Sequence, residues 1–83
     1  MESRIALIGI IVTDVSQSPK LNTLLSEFGQ YIIGRMGIPH HKHGEDEVAI
    51  ISVAIEAPQN RISALSGKLG MLEGVSAKVI YAT

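Results

Sequence analysis

Two stretches of the chain, Arg4 to Asp14 and Glu47 to Ala57, are apolar on both of their alternating faces. In the first, Ile5, Leu7, Gly9 and Ile11 point one way and Ala6, Ile8, Ile10 and Val12 the other. In the second, Val48, Ile50 and Ala54 oppose Ala49, Ile51, Val53 and Ile55. A half-exposed antiparallel strand alternates apolar with polar positions, so these two belong mid-sheet with cover on each face. Two other strand-like stretches are more polar. One runs from about Tyr31 to His40, its apolar positions interrupted by Gly34, Arg35, Gly37 and Pro39; the other, Val75 to Tyr81, sets Val75, Ala77, Val79 and Tyr81 against Ser76 and Lys78. Proline fits an edge strand because it has no N–H for the ladder, and glycines inside a strand signal a bulge, a bend or a close backbone approach.

Between these stretches lie two helical stripes. Leu21, Leu24, Leu25 and Phe28 follow the i, i+3, i+4, i+7 spacing, with Ser16 or Ser18 as the N-cap and Pro19 in the first turn. Ile62, Leu65, Leu69 and Leu72 form the second stripe, opened by Gln59 or Asn60 after Pro58 and stopped by Gly74. The run His41-Lys42-His43-Gly44-Glu45-Asp46 reads as a polar hairpin connection. The element order is then βαββαβ, an α+β chain. In a ferredoxin-like arrangement the four-stranded antiparallel sheet has order 4-1-3-2, with both helices on one face. That order puts the doubly apolar strands in the centre and the Gly-, Pro- and Lys-bearing strands at the edges, so connectivity and burial pattern agree. Two helices cover one face of such a sheet. The other face needs a second copy of the chain or a ligand.

Size sharpens that need. The 83 residues predict one domain, 1–83, and a domain of this size buries only roughly 60–65% of its unfolded surface, so association helps it. A formal net charge of -1 with no two Lys or Arg residues adjacent argues against direct nucleic-acid binding. With no cysteine there is no disulfide, thiolate metal site or cysteine nucleophile. The apolar run Ile5 to Val12 is too short for a membrane span and lacks a signal-peptide pattern, so a cytoplasmic protein away from membranes is expected.

Candidate chemistry is sparse. His40, His41 and His43, followed by Glu45, Asp46 and Glu47, have the ligand types of a zinc, nickel or copper site, or form a solvated hairpin tip. Adjacent residues of an extended segment face opposite ways, so His41 and His43 share one side and His40 takes the other. Asp14, Ser16 and Ser18 lie before the first helix, where free N–H groups hold an anion or are simply capped. Arg35 is a candidate anion grip, or else solvated or ion-paired. Ser63 to Gly70 lacks the spacing of a phosphate loop and sits inside a helical stripe. Gly67 and Gly70 there each cost about 1 kcal/mol relative to alanine, an expense explained by close packing or by a ligand beside Ser66 and Lys68. No catalytic constellation emerges.

With Arg35-Met36-Gly37-Ile38-Pro39, the run Ile62-Ser63-Ala64-Leu65-Ser66-Gly67-Lys68-Leu69-Gly70, and the closing Gly74-Val75 and Lys78, nearly the whole chain resembles the iron-only hydrogenase system regulators. These are small ACT-like proteins, also compared with the ligand-sensing domain of nickel-responsive repressors. The resemblance implies a ferredoxin-like oligomer with a regulatory role inferred from genomic association with hydrogenase maturation. The chain departs from the nickel sensors in lacking cysteine, and from amino-acid-binding ACT domains in having no glycine in the turn Asp14 to Pro19. The reading is a non-enzymatic, homo-oligomeric regulatory module. It pairs through its open sheet face, takes a small-molecule effector and signals to a separate regulatory protein. The alternatives are a metal-responsive sensor using His40, His41 and His43, and a small enzyme of the dimeric α+β barrel kind.

Overall fold

A computed structural model describes residues 2–82. Strand β1 spans Ser3–Val12, helix α1 Ser18–Glu27, β2 Ile32–His43, β3 Asp46–Pro58, helix α2 Gln59–Gly70 and β4 Val75–Tyr81. All pairings are antiparallel. The strand order is β2-β3-β1-β4, the same neighbours as 4-1-3-2 read from the opposite edge. The two doubly apolar strands are therefore the central ones.

The period of two along β1 divides the molecule. Ala6, Ile8, Ile10 and Val12 are buried, and they join Val53, Ile55 and Ala57 of β3 in one core. Both helices contribute to that core through their stripes, with Leu21, Leu25 and Phe28 around α1 and Ile62, Leu65 and Leu69 from α2. On the reverse side of β1, Ile5, Leu7 and Ile11 remain 52%, 41% and 47% exposed.

Several local expectations are corrected. Neither Ser16 nor Ser18 caps α1; Asp14 instead caps a single 3-10 turn at Val15–Gln17, and Ser18 and Pro19 open the helix. Helix α2 stops at Gly70 rather than Gly74, and Leu72 packs on the core from the turn beyond. Gly74 still has a decisive part. At φ +72° it makes the turn into β4, its carbonyl accepts from the Thr13 N–H at 2.7 Å, and a Cβ there would lie 2.6 Å from Asp14 Cβ. The polar run His41 to Asp46 is the hairpin connection expected, but most of it is strand. β2 and β3 continue as a ladder to His43 and Asp46, joined by a two-residue turn with Gly44 at φ +66°. A glycine at the first central position is what such a turn demands. Residues 38–47 of this ribbon are exposed throughout.

Candidate functional site

The open side of the sheet is an apolar surface. Cross-strand register places Leu7 between Ala54 and Ile80, and Ile11 beside Ile50, which in turn faces Ile38. Ile38, Ile50 and Ile80 are 51%, 40% and 66% exposed. Polar side chains interrupt this face at Ser52, Glu56, Ser76 and Lys78, and at His41, His43 and Asp46 toward the hairpin. Gly9 sits in the row between Ser52 and Lys78, and a Cβ there would meet nothing within 4 Å. The face thus has a central dent, flanked along β1 by Leu7 and Ile11 and across the strands by Ser52 and Lys78.

A groove of about 420 Å³ lies on the helix side, between α1 and the β2–β3 pair. Its lining includes Ser18, Asn22, Arg35, His40, Ala49 and Ile51. The register puts Arg35 opposite Val53 and Gly37 opposite Ile51, so both belong to the helix side of an edge strand. Gly37 permits a close strand approach, since a Cβ would come within 2.9 Å of the Ile50 carbonyl oxygen. From β2 the Arg35 guanidinium spans to α1, where Nη1 and Nη2 both donate to Asn22 Oδ1 at 3.4 Å. Bonds of that length are weak. Among the described residues no carboxylate pairs with this guanidinium. At the groove's outer end His40 Nδ1 lies 3.1 Å from Glu47 Oε2.

The other expected site residues scatter. Asp14 Oδ1 accepts from both the N–H and the hydroxyl of Ser16, at 3.1 and 2.6 Å. These Ser16 bonds hold the Asp14 carboxyl below the usual aspartate range. Asp14 and Ser16 therefore satisfy each other, and of the three residues before α1 only Ser18 lines the groove. Ser66 and Lys68 are on α2, where the Lys68 ammonium stands 5.6 Å from the Phe28 ring centroid. Beside it is a shallow apolar depression lined by Leu24, Met71 and Leu72. Close packing within the chain does not explain the two glycines of α2, because a Cβ at Gly67 or Gly70 would meet nothing within 4 Å. The histidines divide. His40 bonds Glu47 on the helix side, whereas His41 and His43 pair across the ladder with Val48 and Asp46, on the open side. Among the described residues no three His, Asp or Glu side chains gather as a metal-ligating group.

Comparison with known proteins places this geometry. Residues 4–79 match the model of the TM1266-like family, described as iron-only hydrogenase system regulators. The chain belongs to that family. A solved structure, that of TM1266 from Thermotoga maritima, is 32% identical, with a TM-score of 0.85 over 99% of this chain and 100% of that one. More distant is CPII from Thiomonas intermedia K12, solved with ADP, AMP and acetate. It is 15% identical with a TM-score of 0.60 over 100% of this chain and 93% of that one, a likeness of fold. Comparison with curated proteins gives no match. No helix among the described residues of this TM1266-like chain is long and apolar enough to cross a membrane.

Sequence reasoning missed Asn22, Ala49 and Ile51 as groove residues of this TM1266-like protein. A signal was present for two of them, since Ala49 and Ile51 share parity with buried Val53 and Ile55. Asn22 carries none, being one polar position on the outer side of a helical stripe.

Proposed function

We propose that this chain is a non-enzymatic regulatory module that works as a homo-oligomer. Two copies join through the open faces of their sheets, and a small-molecule effector held close to that face biases the assembly. Output passes to a separate protein. The observation that carries this reading is the asymmetry of the sheet: one face is sealed by two helices, while the other leaves Ile5, Leu7, Ile11, Ile38, Ile50 and Ile80 each 40–66% exposed. An exposed aliphatic surface of this kind marks an interaction site. A twisted, aliphatic sheet face is suited to packing on the same face of a second copy, as in aligned sheet packing. Membership of a regulator family supports the role, and the structure of CPII with ADP and AMP supports effector binding on this type of fold.

Sedimentation velocity over a dilution series tests the proposal. A reversible shift from oligomer to monomer is expected, with the oligomer predominating at micromolar concentration. A strictly monomeric chain at every concentration overturns it.

A further inference from the structure

The groove between α1 and β2 has a composition that the open face lacks. We infer that it is a binding site for a small organic oxyanion with an apolar body, a carboxylate or a phosphate monoester, gripped by Arg35. Three observations converge on that chemistry. Arg35 has no carboxylate partner among the described residues, and its two bonds to Asn22 Oδ1 are both stretched to 3.4 Å. A planar guanidinium offers two parallel N–H donors that an oxyanion takes at shorter range than one amide oxygen can. No carboxylate is among the residues that line the groove; Glu47, bonded to His40, lies outside that lining. Apart from Ser18, the remaining lining is apolar or small, with Leu21, Met36, Pro39, Ala49 and Ile51 among it, in a space of about 420 Å³. That volume lies within the range of small-molecule pockets, and a few convergent polar groups on an apolar wall are their usual make-up.

The inference deepens the regulatory reading, on which its coupling to assembly rests; the binding itself does not need a second copy. Arg35 and Met36 also border a shallow depression on the open face, lined with Leu7, Ser52 and Ala54. An occupant of the groove therefore acts on the strand whose reverse side belongs to the proposed interface.

Titration of isotope-labelled protein followed by amide NMR shifts tests the site. The probes are benzoate, phenyl phosphate and neutral benzamide. Saturable shifts at Asn22, Arg35, Gly37 and His40 are expected with the two anions and not with benzamide, and the tighter anion identifies the oxyanion. Arg35→Gln, an exposed edge-strand change, should weaken binding roughly 10- to 100-fold, the usual worth of a charge-assisted hydrogen bond. Asn22→Asp is the sharper variant. It retains the arginine but places a carboxylate against it, and so should abolish binding while the fold, read by circular dichroism, stays intact. Equal shifts from benzamide, unchanged affinity in Asn22→Asp, or no shifts up to tens of millimolar probe would each overturn the inference. A monomeric Leu7→Glu variant separates the two proposals. Anion binding there, with no association in the parent, defeats the oligomer and leaves the groove standing. Association without anion binding does the reverse.

Discussion

Replacing Leu7 by glutamate strikes the proposed interface at its centre. Leu7 lies on central strand β1 between Ala54 and Ile80, and 41% of it is already exposed. Fully burying a leucine side chain is worth about 1.5–3 kcal/mol, so covering the exposed part contributes roughly 1 kcal/mol per copy to association. Glutamate forfeits that and adds the cost of a buried polar group without a partner, about 1–3 kcal/mol. A two-fold interface contains the substitution twice. The total is roughly 4–8 kcal/mol, or about 10³- to 10⁶-fold in dissociation constant. The single chain should lose far less, because the new carboxylate reaches water from a position that was never sealed. Sedimentation velocity gives the dissociation constant, and thermal melting under conditions where the parent is monomeric gives the intrinsic stability. Gly9→Lys is the companion, since it fills a dent in which a Cβ has no neighbour within 4 Å. An association constant that survives both changes would refute the reasoning. So would a fall in monomer stability as large as the fall in association, which would mean that the substitution acts on the fold.

Other predictions concern the fold itself. Gly74→Ala forces a Cβ into a position at φ +72° and against Asp14; a loss of about 2 kcal/mol or more in urea unfolding is expected, and an unchanged midpoint would contradict the turn geometry. Leu65→Ala opens a cavity at a fully buried position of α2, with a loss of about 2–5 kcal/mol by the same measurement. The folded-state pKa of Asp14 is depressed by its Ser16 bonds, so its contribution is present in full above the unfolded pKa and is lost as pH falls through the folded one. Parent and Asp14→Asn melting curves should differ at neutral pH and converge on acidification; a gap that persists or widens in acid would reverse that sign. Gly67→Ala should raise stability by about 1 kcal/mol, because the added methyl meets open space in a helix interior.

Which parts of this structure were legible depends on how strongly each is patterned. The alternation in β1 and β3 and the stripes of α1 and α2 are periodic over many residues, and each period maps to one buried face. The β2–β3 ribbon has no such signal. His41 to Asp46 is exposed on both sides, so no alternation marks it as strand, and only Gly44 hints at the two-residue turn. Register irregularities between Ile32 and Gly34 and between Ile38 and His41 hid which side Arg35 and His40 face relative to the core. The cap at Asp14 was ambiguous for a different reason: Asp14, Ser16 and Ser18 are all good capping types, and the backbone of the 3-10 turn selects among them.

Strand β2 is the element that connects the two proposed sites. Because side chains alternate along it, Arg35 faces the groove while Met36, paired with Ser52, faces the open side, where it is 76% exposed. An effector shifts an equilibrium only by its differential affinity for the two states. A tenfold coupling needs about 1.4 kcal/mol, which is within the worth of one charge-assisted hydrogen bond formed in one state and not in the other. Releasing Asn22 to engage an anion changes the partner of Arg35 on an edge strand held on one side only, by β3. The strand is bounded by irregularities at both ends of the segment 34–38 and tied at Gly37 by a close backbone approach. On the proposed reading, a small displacement of Arg35 reaches Met36 without passing through the buried core, whose members lie on β1, β3, β4 and the helical layer.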